Sequence, residues 1–235
     1  LAALRLGLVT DTQDITGEVL ATHDASAVTE AEVRAVLPRF TGEISQIPPM
    51  SSAVKVHGQR LYALARKGQE VERKPRNITI FELAVEDGSG SDWDLRVRCS
   101  KGTYVRTLCH DIGQSLGCGG CMSSLRRTRA GRFTLEQAVT MEQILAFAQE
   151  HDPAELLMPV DAAFRQYKSV FLSPKQTKMF LDGIRLDTNR IKIPAEGDTV
   201  RVYGDGRFLA LAHIERSIAE LQIIKLFYTK ENPNC

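Results

Sequence analysis

VRCSKGTYVRTLCHDIGQSLGCGGCMSSLRRTRAGRF, residues 97–133, decides how the rest of the chain is read. It opens as a strand. Leu95, Val97 and Cys99 alternate with Arg96, Arg98 and Ser100, the two-residue period that buries one face of a sheet. Gly102 breaks the alternation. From Thr103 onward Val105, Leu108, Ile112 and Leu116 recur at helical spacing and share one face. Gly117 stands where a helix C-cap favours positive φ. After the pair Gly119-Gly120, a second strand is expected over residues 125–133.

The charge of this stretch is concentrated. From Arg96 to Arg132 there are eight bases (Arg96, Arg98, Lys101, Arg106, Arg126, Arg127, Arg129 and Arg132) and one acid, Asp111, so its charge is 8 − 1 = +7. The whole chain carries +1, which leaves −6 for the remainder. Such a patch repels itself unless a polyanion neutralises it, and a phosphate backbone does so with release of counterions. Seven of the eight bases are arginine, whose planar fork matches phosphate bidentately. The competing reading is a solvated face with scattered partners.

Working outward, 235 residues at 43% hydrophobic and 25% charged suit one large or two small domains with a real core. No apolar run approaches the ~20 residues that span a bilayer. The opening LAALRLGLVT lacks the plan of a secretory signal and reads as a chain entered partway through a domain. The cysteines are Cys99, Cys109, Cys118, Cys121 and Cys235. Their odd number and clustering point to reduced thiols in a cytoplasm.

Upstream of the basic stretch, residues 4–9 read as a strand, Asp11 to Gly17 as a turn and residues 18–21 as a returning strand. Thr29 and Glu32 form a capping box, with Val28 and Val33 as a staple, for a helix running to about Arg39. Residues 42–70 carry two prolines, three glycines and dispersed bases, among them Lys55. They read as an extended or looped first half and a short helix over 59–66. Residues 78–86 form a strand, 88–91 a turn and 94–99 its hairpin partner. Downstream, 135–150 reads as a helix with Met141, Leu145 and Ala148 on one face, followed by a linker near 165–169. Short strands and glycine turns then suggest a small β-barrel-like module of about 60 residues.

Several chemistries fail on spacing. Cys118 and Cys121 have C-x-x-C spacing, but no second spaced pair completes a zinc site. Cys109 is better placed as a small apolar helix residue than as a nucleophile. The four histidines other than His110 lie in unrelated segments, and the turn Gly204-Asp205-Gly206 precedes no helix that would cradle phosphate. What survives is Lys101, Tyr104, Arg106, Arg126, Arg127 and Arg129: aromatic and guanidinium planes that stack on splayed bases, with cations for phosphates. Tyr104 fits a core residue equally well.

These residues also carry a resemblance. SKGTYVRTL, DIG, LGCGG and LRRTRAGRF resemble the core of the bacterial TruB-type tRNA pseudouridine synthases. GLVTDTQDITGEV resembles that family's G-x-x-T-D-T-x-D-x-x-G pattern, and FTGEISQIPPMSSAVKVHGQRLYALARKG its F-x-G-x-x-x-Q-x-P-P segment with S-A-x-K, G-x-R-x-Y and A-R-x-G. MPVDAAF with the tail is similar to its C-terminal PUA-like module. The segments occur in family order and cover nearly all of the chain.

The resemblance implies an α+β fold. A pseudouridine-synthase-type mixed, largely antiparallel sheet with helices would occupy residues 1–165, with a thumb-like insertion at 42–70, and a PUA-like RNA-binding β-barrel module would occupy 168–228. It implies isomerisation of uridine 55 to pseudouridine in the tRNA T-arm loop by a cytoplasmic monomer, with no cofactor and no metal. The base is flipped out, its glycosidic bond broken, and the uracil rejoined through carbon. Arg126 and Tyr104 become the catalytic residues, with Arg126 facing a carboxylate; Lys101, Arg106, Arg127, Arg129 and Lys55 become RNA-binding. The family's catalytic aspartate lies in a G-G-x-L-D-P-type motif that these residues do not contain. A truncated chain inactive by itself is therefore expected, the alternative being a catalytically dead RNA-binding protein of the same fold. Ser51, often aromatic in the family, and Cys121, often histidine, are departures.

Overall fold

A computed structural model describes residues 1–228. It divides into two compact units, Leu1–Leu135 and Glu136–Cys235, so residues 136–165 fall in the second. Cys235 lies outside the described residues.

In the first unit the elements run β1 (Ala2–Leu6), β2 (Leu8–Thr10), β3 (Val19–Thr22), α1 (Glu30–Val36), β4 (Gly42–Gln46), β5 (Lys55–Val56), β6 (Gln59–Arg60), α2 (Leu61–Ala65), β7 (Arg76–Ser89), β8 (Asp92–Cys99), α3 (Val105–Ser115), β9 (Gly120–Leu125), β10 (Arg129–Ala130) and β11 (Phe133–Thr134). Five strands form one sheet in the order β4-β7-β8-β1-β9, and every pairing in it is antiparallel. Its core gathers alternate residues from the strands with α1 and α3: Leu4, Leu6, Ile80, Trp93, Leu95, Val33, Leu108 and Ile112 are all almost fully buried.

The alternation in 92–99 is realised as expected, with Trp93 and Leu95 buried and the arginines outward. So is the helix: Leu108 and Ile112 are buried, Val105 and Leu116 pack beside them, and Gly117 has φ +80°. The capping box on α1 is present, with Val28 and Val33 in the same core. A 3-10 turn at Leu37–Phe40 continues that helix close to Arg39.

Three expectations are corrected. The strand expected over 4–9 is two strands, because Gly7 at φ +79° turns the chain out of the main sheet and into the β2–β3 hairpin. A Cβ there would lie 2.4 Å from the carbonyl oxygen of His23. The strand expected over 125–133 is instead β9, which starts at Gly120 and stops at Leu125. Gly120 has to be small because α3 lies against it through Gly113, and the basic residues beyond Leu125 leave the sheet and form the small β10–β11 hairpin. The extended or looped first half expected for 42–70 is borne out: Gly42–Gln46 is extended, an edge strand registered on β7 with Ile44 opposite Ile78. The turn at 88–91 shrinks to Gly90 and Ser91, since β7 runs on to Ser89.

The second unit contains α4 (Met141–Phe147), β12 (Lys168–Leu172), α5 (Pro174–Leu181), β13 (Leu186–Asp187), β14 (Thr199–Gly204), β15 (Arg207–Glu215) and β16 (Glu220–Leu226). Its sheet runs β12-β14-β15-β16-β13; β12 pairs β14 in parallel and the remaining pairs are antiparallel. Phe180 of α5 closes a core of Val170, Val200, Val202, Leu209, Ile214 and Leu221. Asp205 and Gly206, both at positive φ, make the tight β14–β15 turn. The helix expected over 135–150 is shorter. Thr140 caps it through a box with Gln143, and Met141 and Leu145 are 64% and 62% exposed, so the expected apolar face is not buried. The linker expected to reach Ser169 ends earlier, since β12 begins at Lys168.

Candidate RNA-binding and catalytic site

β8 and β9 flank β1 on opposite sides and run in the same direction, because each is antiparallel to it; Leu95 and Leu125 both lie opposite Ala2. The sheet therefore sends two basic segments out of one end. β8 leads to Lys101, Tyr104 and Arg106, and β9 leads to Arg126, Arg127 and Arg129.

Lys101 is exposed on the turn where Gly102, at φ +87°, reverses the chain into α3. Tyr104 is the N-cap residue of α3 in extended conformation, half-buried, and its own side chain caps nothing. The main chain of Tyr104 is held from both sides by Gln46: its N–H donates to Oε1 at 2.9 Å, and its carbonyl accepts from Nε2 at 3.1 Å. Arg106, two residues on, donates to the carbonyl oxygen of Ser51 at 2.7 Å, and its guanidinium lies 6.0 Å from the Tyr104 ring centroid. Thr107 is buried and donates to Oε1 of Gln13 at 2.7 Å, which ties the 11–17 turn to the same helix.

That turn also covers the outer edge of β9. Met122 N–H donates to the Gln13 carbonyl and Ile15 N–H to the Met122 carbonyl, so an edge that would otherwise be unpaired is closed. At the far end of β9, Arg126 and Leu1 pair through their main chains, and the Arg126 side chain is left in solvent. Among the described residues no carboxylate forms an ion pair with it. Arg127 is exposed; Arg129 is exposed and donates from Nε to the Gly131 carbonyl at 2.8 Å. Lys55 is exposed on the β5–β6 hairpin, whose turn residues His57 and Gly58 have φ +48° and +80°. The structure thus brings Tyr104 and Arg106 together on one turn. It places Arg126 and Arg127 at the same end of the sheet and sets Lys55 on a separate hairpin.

The +7 segment is less bare than its sequence suggests. Arg96 pairs bidentately with Glu86 on β7, at 2.6 and 2.8 Å, and Arg98 approaches Glu82 at 3.5 Å. The hydrogen bonds from Arg96 hold the Glu86 carboxyl below the usual range. These two arginines belong to the sheet surface and the others to its end. Sequence reasoning met Gln46 only as the fixed glutamine of the family's Q-x-P-P segment and gave it no role. That motif was the available signal, but the clamp itself shows only when the register of β4 brings Gln46 beside a helix cap 58 residues away.

The thiols take no part in this arrangement. Cys109 is fully buried, and burial pushes it up to about 12, far from a thiolate at neutral pH. Cys121 is also pushed up, first by burial and then by Asp14. Among the described residues no group of three His, Cys, Asp or Glu is arranged to hold a metal ion, and no helix is long and apolar enough to cross a membrane.

Comparison with known proteins agrees with this geometry. Residues 1–105 match the family model described as "TruB family pseudouridylate synthase (N terminal domain)", and residues 106–165 that described as "tRNA pseudouridylate synthase B C-terminal domain". The chain is 40% identical over 227 residues to a tRNA pseudouridine synthase B of Clostridium tetani, covering 96% of this chain and 76% of the relative. It is 47% identical over 221 residues to one of Burkholderia mallei, covering 92% and 72%. Among solved structures, one titled "Crystal Structure of a Cbf5-Nop10-Gar1 Complex" superposes with a TM-score of 0.66 at 24% identity, covering 98% of this chain and 67% of that one; this likeness concerns the fold alone. With both matched segments and these identities over nearly its whole length, the chain belongs to the TruB family of pseudouridylate synthases.

Proposed function

We propose that this chain, when joined to the family's aspartate-bearing segment and not by itself, isomerises uridine 55 to pseudouridine in tRNA, gripping the T-arm stem-loop as a cytoplasmic monomer without cofactor or metal. The observation that carries the reading is the emergence of SKGTYVR and LRRTR from one end of a single sheet, on two strands held in common register by β1. A half-buried aromatic and a set of outward cations at one end of a rigid scaffold suit a base taken out of its stack, with its backbone held by charge. In this reading Arg126 faces the catalytic carboxylate and Tyr104 lines the site. Lys101, Arg106, Arg127, Arg129 and Lys55 hold the RNA backbone. Residues 42–70 form the thumb that closes over the loop, and the tail sheet from Lys168 onward is the PUA-like RNA-binding module.

The resemblance pairs Arg126 with a carboxylate in a G-G-x-L-D-P-type motif that these 235 residues do not contain. Tritium release from tRNA labelled at uridine C5 is therefore measured for residues 1–235 alone and for the same residues joined to the aspartate-bearing segment of a relative. Turnover at position 55 by the joined chain, and none by residues 1–235 alone, is the expected result. T-arm binding by the joined chain with no tritium release would favour the second reading, an RNA-binding protein that keeps the fold without the chemistry.

A further inference from the structure

We propose that Gln46 is a positioning residue for the isomerisation: a buried two-bond clamp that fixes Tyr104 relative to the sheet. Gln46 is 3% exposed. Its amide spends both polar ends on one target, the main chain of Tyr104, accepting at 2.9 Å and donating at 3.1 Å. An amide is the side chain suited to this, because it presents a donor and an acceptor side by side in one plane. Either end left without its partner would be a buried unsatisfied group.

The placement makes the clamp informative. Gln46 is the last residue of edge strand β4 and stands opposite Arg76 on β7, so its position belongs to the sheet and not to a loop. Tyr104 follows Gly102 at φ +87° and precedes the first turn of α3, where the chain has left the β7–β8 ladder. Without Gln46 the Tyr104 N–H would have no strand partner. The next residues after β4 lead to Ser51, whose carbonyl takes the Arg106 guanidinium. The segment 46–51 therefore holds the start of α3 at two points, and only the Gln46 point touches Tyr104 itself.

The inference rests on Tyr104 lining the active site, and a double-mutant cycle separates the two claims. Turnover and KM for tRNA are measured for Gln46→Ala, Tyr104→Ala and the double variant, all in the chain joined to the aspartate-bearing segment, with thermal unfolding of each. Gln46→Ala is expected to lower kcat on the order of tenfold or more, as a misplaced site group does, with little change in KM. In the Tyr104→Ala background the same change is expected to cost almost nothing, since there is no ring left to position. Gln46→Glu serves as a second variant: it keeps the size and the acceptor but loses the donor to the Tyr104 carbonyl, and its kcat should also fall. Equal losses with and without the Tyr104 ring would overturn the clamp while leaving Tyr104 in the site. An unaffected kcat in Tyr104→Ala would overturn both.

Discussion

Arg126 and Leu1 hold each other by a reciprocal main-chain pair: the Leu1 amino group donates to the Arg126 carbonyl at 2.9 Å, and the Arg126 N–H donates to the Leu1 carbonyl at 2.8 Å. The base of the arginine is therefore fixed by the sheet while its side chain stays exposed. Replacing the side chain should leave the pair intact. Arg126→Ala is expected to change stability by no more than about 0.5 kcal/mol. In the chain joined to the aspartate-bearing segment it should reduce turnover by about a hundredfold or more, the scale of removing one charge-stabilising group, and keep most of the RNA affinity. Steady-state kinetics beside denaturant unfolding check this; loss of stability in step with turnover would contradict it.

The cross-strand ion pairs sort the basic residues into two classes. Among the described residues Arg127 and Arg129 have no acidic partner, whereas Arg96 and Arg98 face Glu86 and Glu82. Arg127→Ala and Arg129→Ala should each lower the slope of log affinity against log salt by about one. Arg96→Ala should leave it nearly unchanged, because that charge is already neutralised within the sheet. Binding titrations of a T-arm hairpin across a salt series decide; equal slopes for Arg96→Ala and Arg127→Ala would refute the division.

How far this was legible in the sequence follows from the range of each interaction. The alternation of Leu95, Val97 and Cys99, the helical face of Leu108 and Ile112, and the Thr29–Glu32 box are local and were readable. The pairing of Arg96 with Glu86 was not, since it depends on which residues of a fourteen-residue strand stand opposite a shorter one across two irregularities of register. Gly119-Gly120 read as a break before a strand because glycine usually punctuates. In the fold Gly120 begins the strand with Gly113 of the helix close against it, while Gly119 sits at φ +70° where a Cβ would meet the Val9 side chain at 2.4 Å. Met141 and Leu145 have a helical period yet remain exposed, so periodicity alone did not say whether anything packs against them.

Asp111 offers a test by pH. It is half-buried on α3, and burial raises its carboxyl above the ordinary range, the neighbouring His110 opposing this in part. An acid with a raised folded-state value keeps its proton longer in the native state. Its contribution to stability therefore falls as pH climbs from the unfolded value, about 3.9, through the folded one. Asp111→Asn should raise the melting temperature at pH 7, by on the order of 2 °C, and should bring no gain near pH 3, where both states hold the proton. A gain of equal size at both pH values would show that the effect is not ionisation.

The thiols can be ranked by reactivity. Cys109, held up to about 12 by burial, and Cys121, raised for the same first reason, are both fully buried, while Cys99 is partly exposed. Iodoacetamide at pH 8 should alkylate Cys99 in the native protein and reach Cys109 and Cys121 only at the rate of global opening. Peptide mass mapping over time reads this. Early alkylation of Cys109 would mean that α3 opens locally.

The packing of α3 on β9 depends on one position. Gly113 lies on the buried side of the helix, and a Cβ there would meet the main chain of Gly119 and Gly120 at 2.4 Å. Those atoms cannot swing aside as a side chain would, because Gly119 N–H donates to the Gly113 carbonyl and Gly120 is paired into the sheet opposite Leu6. Alanine at 113 must therefore push the whole helix outward, away from Leu4 and Leu6 and off the strand that ends at Arg126. Overpacking of this kind costs about 3 kcal/mol, while the better helix propensity of alanine returns at most about 1 kcal/mol. Gly113→Ala should thus be destabilising by about 2 kcal/mol, whereas Gln114→Ala, one residue on and exposed, should be neutral or slightly stabilising. Because Tyr104 caps α3 and the helix carries Arg106, turnover of the chain joined to the aspartate-bearing segment should fall with Gly113→Ala even at temperatures where the protein remains folded. Urea unfolding of the two variants, with kinetics well below the transition, is the measurement. A neutral Gly113→Ala would mean that the helix does not lie directly on the glycine pair, and the proposed placement of Tyr104 would lose its support.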